Sequence, residues 1–272
     1  MRGCPLRVGS VPYLVGRPVD SGLDTEPGIE LVREVPAQLV EGLRSGRLDV
    51  ALVSSIELFR RPGYRYLDRI AVAGRGFVGS VQVFLRRPLE ELRALALDPA
   101  SRTAATLVRV LLGEDGLAPE MLEVERGVDP RGVRADAWLR IGDRALREYL
   151  GEPELTVFNP SQAWCARRGL PFVFAAWIVA PGADVEPHLA AFERARRRGA
   201  DGIEALAREA SAAWSLGLED CRRYLTGECE YELASGMHAA LTAFRDAAGR
   251  LDLCDARLAL RPIDLEDVAC RG

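Results

Sequence analysis

The chain has no lysine; all 36 of its basic residues are arginine. That excludes a Schiff-base lysine, the phosphate-gripping lysine of a P-loop and a lysine general base. Histidine is scarce too: only His188 and His238 occur, both in stretches that read as helix. Acid–base work would then fall to carboxylates, hydroxyls, tyrosine or the substrate itself. The six cysteines, Cys4, Cys165, Cys221, Cys229, Cys254 and Cys270, form no Cys-x-x-Cys pair, and two histidines are too few to complete a zinc site with them. They read as reduced structural thiols of a cytoplasmic protein, and no metal site is expected.

Other absences narrow the class further. The opening residues Met1 to Arg7 lack the apolar core and small-residue cleavage site of a secretory signal. The longest apolar run, Phe172 to Ala180, is too short to span a bilayer and is bounded by Pro171 and Pro181, as a buried strand would be. A net charge of −4 argues against non-specific nucleic-acid binding, which needs a positive surface. It leaves anionic small molecules open, because a local site can be positive on an acidic protein. No internal repeat and no low-complexity linker occurs.

What is present fits a globular protein. A chain of 272 residues, 48% hydrophobic and 28% charged, is long enough for one large domain or two intimate lobes without covalent staples. Leu6–Val11 reads as a strand ending in a Ser-x-Pro turn, and Ile29–Val35 as a second strand. Pro36 opens a helix to about Arg44. Leu48–Val53 is an apolar buried strand, after which Ser54 and Ser55 cap a short helix through Phe59. Val81–Leu85 and Leu95–Leu97 are strands around a helical turn at Pro88–Leu92, and an amphipathic helix runs from Ser101 to Leu112. Ala135–Ile141 leads into a helix ending near Tyr149, and Phe172–Val179 is a further strand. Strands alternating with helices indicate a parallel α/β sheet, whose ligands bind at the carboxyl ends of the strands, where Ser10, Ser54 and Ser55 lie.

From Glu186 onward the pattern is helical: Pro187–Arg198, Ile203–Trp214, Leu218–Leu225 and Leu233–Ala248. Residues 1–79 with 180–272 are expected to form one lobe and 80–179 another. The crossings fall near Gly79–Leu85 and Ala175–Val179, and the C-terminal helices return to the first lobe. A cleft between lobes joined by two strands can close on a ligand by hinge motion.

Several segments, in the right order, resemble one family, the chorismate dehydratases of the futalosine route to menaquinone (MqnA). They are Tyr13-Leu14-Val15-Gly16-Arg17-Pro18-Val19, Asp49-Val50-Ala51-Leu52-Val53-Ser54-Ser55-Ile56-Glu57, Gly79-Ser80-Val81 with Pro88-Leu89-Glu90-Glu91, Ser101-Arg102-Thr103, Ile141-Gly142-Asp143, and Gly169-Leu170-Pro171-Phe172 continuing to Trp177. The similarity runs from about Leu6 to Val179, with looser helical agreement beyond. It implies a two-lobed type 2 periplasmic-binding-protein-like fold with two crossover strands and C-terminal helices. It also implies a hydro-lyase that removes water from chorismate, a small dianion, to give 3-[(1-carboxyvinyl)oxy]benzoate without a cofactor, as a monomer or homodimer.

Each candidate site residue has a plain structural reading beside the functional one. Ser101, Arg102 and Thr103 either cap a helix or cradle a carboxylate with hydroxyls and free N–H groups at a helix start. Ser54 and Ser55 have the same two roles open on a second helix. Gly79 and Ser80 are either a turn or a close backbone approach to ligand with a hydroxyl beside it. Asp143 is either an N-cap or an acid that hydrogen-bonds the leaving hydroxyl; with Ser80 it is the candidate catalytic residue. Tyr13 and Trp177 are either core aromatics or walls for a ring. Val15 stands where the family carries a substrate-binding asparagine, and Asn159-Pro160-Ser161 replaces the family's Asp-Leu-Gly. Arg17 or Asn159 is expected to take over that polar duty, unless the activity has changed. A transport-type binding protein of the same fold, and the sister enzyme that makes dihydroxynaphthoate, are the alternatives. The sister's Ser-Pro-Cys-Pro-Asn-Asp-like opening is not matched.

Overall fold

The computed structural model describes residues 4–100, 102–233 and 236–265. The first sheet starts from three short apolar strands, β1 (Leu6–Ser10), β2 (Ile29–Arg33) and β3 (Val50–Ser54), with β1 parallel to both of the others. Their connections carry α1 (Arg17–Asp20) and α2 (Pro36–Ser45). Pro36 opens α2, where its missing N–H costs nothing, and Gly46 ends the helix in the left-handed conformation. Val50 to Val53 are buried on both faces of the sheet, which is why β3 reads as an unbroken apolar run. A 3-10 turn at Ser55–Phe59 follows, wholly buried, and then β4 (Arg65–Gly74).

The chain then crosses to a second sheet: β5 (Val81–Leu85), β6 (Ala94–Leu97), α3 (Arg102–Glu114), β7 (Glu120–Glu123), β8 (Ala137–Ile141), α4 (Gly142–Gly151) and β9 (Thr156–Phe158). Its strand order is β7-β6-β8-β5-β9. Return is through α5 (Pro160–Arg168) into β10 (Phe172–Val179). The helices α6 (Leu189–Asp201), α7 (Ile203–Trp214) and α8 (Leu218–Arg223) come next, followed by β11 (Cys229–Glu232), α9 (Met237–Gly249) and β12 (Pro262–Ile263). The first sheet has the order β11-β4-β10-β3-β1-β2, with β12 beside β4.

Both sheets are mixed rather than parallel. β10 inserts between β3 and β4 and runs antiparallel to each, while β5 runs antiparallel to β8 and β9. A strand that enters one sheet from the other does not close a βαβ unit within its own sheet, so nothing enforces parallel pairing. The second crossing is also earlier than expected: all of β10 belongs to the first sheet, and residues 159–171 make the passage. The ten-residue β4 was not anticipated, because Arg65, Asp68 and Arg69 interrupt its apolar pattern; Arg69 adopts φ 70° within the strand.

α3 holds the two halves together. Ala104, Val108 and Leu112 pack into the core of the second sheet, and Leu107, Val110 and Leu111 into that of the first. Two apolar faces at helical spacing require that the helix be covered on both sides.

Candidate active site

A cavity of about 90 Å³ lies where the two sheets meet. Val11, Tyr13 and Val15 reach it from the loop after β1, Ser54 from the end of β3, and Val78 and Ser80 from the first crossing. Ala100, Thr103 and Ala104 come from the loop into α3 and its first turn, Ile141 and Gly142 from the start of α4, and Phe174 and Ala175 from β10. Strand ends and helix starts thus converge on one space, the usual ligand position in open α/β sheets. Among the described residues no charged side chain lines it. Tyr13, Ala100 and Ile141 also border an outer groove of about 460 Å³, which holds Asp98, Arg126, Arg140, Asp143 and Arg144.

The crossing and the α4 start are fixed to each other, since Gly142 N donates to Ser80 O at 2.8 Å. Gly142 has φ 68°, and a β-carbon there would lie 3.4 Å from the Tyr13 ring. The left-handed backbone, rather than that ordinary contact, is what favours glycine at this helix start. Thr103 Oγ1 accepts from Ile56 N at 3.3 Å, linking α3 to the 3-10 turn after β3. Asp143 accepts from Leu14 N at 3.0 Å and ties α4 to the loop after β1. It is the second residue of α4, not its N-cap.

Of the residues singled out in the sequence, Tyr13, Val15, Ser54, Ser80 and Thr103 line the cavity. Others do not. Ser10 is fully buried at the end of β1, and its hydroxyl makes no hydrogen bond among the described residues. Ser55 Oγ donates to Val173 O at 2.6 Å, because its side chain turns toward β10. Gly79 N donates to Glu228 Oε2 at 2.7 Å and is spent there. Arg102 approaches buried Glu57 at 4.0 Å in a separate groove with Arg60 and Arg109. Trp177 is a core residue packed edge-on against Phe192 at 5.1 Å. Ser101 lies outside the described residues.

Neither substitute for the missing asparagine faces the cavity. Arg17 pairs with Glu209 of α7 at 2.5 Å. Asn159 caps α5 by accepting from Gln162 N at 2.9 Å, and its amide donates to Val78 O at 2.9 Å. Its amide is used up in holding the two crossings side by side. The hydroxyl-bearing residues in the wall are Tyr13, Ser54, Ser80 and Thr103.

The family model for menaquinone biosynthesis matches residues 6–250. The chain belongs to the menaquinone biosynthesis family. A relative in Thermus thermophilus, named chorismate dehydratase, is 32% identical over 247 residues, covering 82% of this chain and 88% of its own. A Campylobacter jejuni protein of the same name is 31% identical over 163 residues, 60% of this chain and 58% of that one. In fold, this menaquinone-biosynthesis family member resembles protein AF1704 from Archaeoglobus fulgidus, at a TM-score of 0.76 and 17% identity over 93% of this chain and all of that one. It also resembles the alkanesulfonate-binding protein SsuA from Xanthomonas axonopodis pv. citri, at 0.66 and 15% over 96% and 99% of the two chains. The fold is periplasmic-binding-protein-like, with two sheets and C-terminal helices.

Electrostatics at the mouth of this family member's cavity follow from burial. Burial, with Asp98 and Asp143 nearby, pushes the Tyr13 hydroxyl up to about 12, so it remains a hydrogen-bond donor at neutral pH. Burial raises Asp143 to about 6, opposed by the Leu14 N–H and by Arg147. Asp98 is raised for the same reason and is held by N–H groups of Ala100 and Ile141 at 2.9 and 3.2 Å. Among the described residues no group of three or more His, Cys, Asp or Glu is disposed to hold a metal ion, and no helix is long and apolar enough to cross a membrane.

Sequence reasoning missed Val78, Phe174 and Cys229 in the cavity wall, and Asp98 beside it. Asp98-Pro99 stands just ahead of a helix, a local signal that was available for Asp98. Nothing local marks Cys229, which comes to the site only because β11 pairs with β4.

Proposed function

We propose that this chain is a chorismate dehydratase, converting chorismate to 3-[(1-carboxyvinyl)oxy]benzoate and water without a cofactor, in the cytoplasm. The observation that carries the reading is an uncharged cavity at the junction of strand ends and helix starts, in a family whose relatives bear that name. Chorismate carries two carboxylates. With no charged side chain in the wall among the described residues, the anion is held by N–H groups and dipoles of the first turns of α3 and α4, and by the hydroxyls of Ser54, Ser80 and Thr103. The apolar remainder of the wall takes the ring.

Loss of the C3 proton and the C4 hydroxyl makes the ring aromatic, which supplies the driving force. The protein's part is to orient the substrate and stabilise charge as it develops. The substrate's own side-chain carboxylate takes the C3 proton, since the chain has no lysine and neither histidine lines the cavity. Ser80 and Asp143 serve the departing hydroxyl, Asp143 from the mouth beside Tyr13. The lobes hinge at residues 75–80 and 159–171, the two passages between the sheets.

Incubation of the purified protein with chorismate tests the reading. The expected product is lighter than the substrate by one water and absorbs as a benzoate. A transport-type binding protein, or the enzyme of a later step, would leave chorismate unchanged. Asp143→Asn is expected to keep part of the turnover, because the amide still hydrogen-bonds the departing hydroxyl. Complete loss of turnover with binding intact would count against deprotonation by the substrate's own carboxylate.

A further inference from the structure

β6 and β8 are parallel neighbours, paired through Leu95–Ala137 and Ala96–Trp138, and from their ends the chain turns toward α3 and α4. Asp98, the residue after β6, joins the two departing segments. Its Oδ2 accepts from Ile141 N at 3.2 Å, and its Oδ1 accepts from Ala100 N at 2.9 Å. Ile141 ends β8 and is the N-cap of α4, while Ala100 stands two residues ahead of α3. Both line the cavity, and both border the outer groove at its mouth. One side chain thus ties together two walls of the site. An ionised carboxylate offers two acceptor oxygens and no donor. Asparagine offers one acceptor oxygen and would turn its NH2 group toward the other amide. A negative charge beside a site for an anion opposes binding by Coulomb repulsion, so what Asp98 contributes there is not attraction.

We infer that Asp98 is a positioning residue: by accepting from Ala100 N and Ile141 N together, it fixes the distance between the α3 and α4 sides of the cavity, and with it the fit of a dianion that reaches both. A segment between a strand end and a helix start has no backbone ladder to place it, so a side-chain acceptor can set its position. The α4 side is pinned in turn to the first crossing, by Gly142 N on Ser80 O, and to the loop after β1, by Leu14 N on Asp143. Through Asp98 the approach to α3 joins the same frame. A preset spacing favours a rigid ligand with two carboxylates, because less ordering is left to the moment of binding. The identity of that ligand rests on the proposed dehydratase activity; the clamp rests on the two hydrogen bonds.

Two measurements on the full chain decide it. Asp98→Asn is expected to raise KM for chorismate about tenfold, roughly the effect of one lost hydrogen bond, with kcat within about twofold, because the spacing serves ground state and transition state alike. The sign separates this from plainer roles. Removal of a repelling charge by itself would lower KM, and a merely structural contact would lower Tm with KM unchanged. A KM that is lower or unchanged would therefore overturn the inference, whatever happens to Tm. Amide hydrogen exchange reads the clamp without any ligand. In the wild type the Ala100 and Ile141 N–H groups are expected to exchange at least about tenfold more slowly than in a free peptide, and in Asp98→Asn one of them is released. Free-peptide rates at both in the wild type, or unchanged rates in the variant, reject the clamp; the wild-type measurement stands even if the variant does not fold. If the wild type leaves chorismate untouched, the dehydratase reading fails while the exchange comparison still decides the role of Asp98.

Discussion

Asp143 shows how one residue acquires a property that its type does not carry. A carboxyl in water loses its proton near pH 4, but burial at the α4 start holds that of Asp143 to about pH 6. The folded protein therefore binds this proton more tightly than the unfolded chain does. The stability it contributes is complete below the unfolded value and is lost as pH rises through about 6. Asp143→Asn keeps an acceptor for Leu14 N but removes the titration. The stability of the variant relative to wild type is accordingly predicted to increase between pH 4 and pH 7, measured by urea unfolding at both values. An unchanged difference would mean that Asp143 titrates in the folded protein as it does in water. Val15 is a simpler case. It is an apolar side chain in the cavity wall, and neither Arg17 nor Asn159 joins it there.

At the scale of elements, the packing of α6 on α1 depends on one glycine. A β-carbon at Gly199 would lie 1.9 Å from the carbonyl oxygen of Pro18, closer than backbone atoms can yield. Gly199→Ala is expected to destabilise the protein by about 1–3 kcal/mol, the usual range for overpacking, even though alanine favours helix. Thermal unfolding checks this, and a raised Tm would show that α1 shifts freely. Glu26 reinforces the same junction from the side. Its hydrogen bonds from Arg194 and Arg198 of α6 hold its carboxyl near 2, well below the ordinary range. The helices legible in the sequence are those with clear caps and periodicity: α2 from Pro36, α7 from Ile203 to Trp214, and α3 within two residues at its C-terminal end. β4 and β11 were not legible, because their charged residues lie on faces that only the sheet makes exposed or paired.

The whole molecule works as two sheets with a small cavity at their meeting, joined by the 75–80 and 159–171 passages and by α3 packed into both cores. A ligand that fills the cavity bridges both halves and binds only the folded chain. The proposed product, 3-[(1-carboxyvinyl)oxy]benzoate, at a concentration about a hundredfold over its Kd, is predicted to stabilise the protein by about 2.7 kcal/mol, or roughly 5 °C in Tm. Differential scanning calorimetry with and without the product tests this. Absence of any shift at millimolar product would mean that the cavity does not take it.

The sequence by itself determined the alternation of strands and helices, the apolar β3, the motifs shared with the family and the absence of lysine chemistry. These are local properties, carried by patterning, caps and residue types. Tertiary structure alone decided which of the marked hydroxyls face the cavity. Ser54 and Ser55 are neighbours in β3 and its following turn, yet one lines the wall and the other is bonded to Val173. It also decided that Asn159 and Arg17 are occupied elsewhere and that Cys229 lines the same cavity as Ser80. The physical reason is that the direction of a side chain at a strand end, and the partner it meets, are set by contacts with residues 81 to 192 positions away, about which the local sequence says nothing.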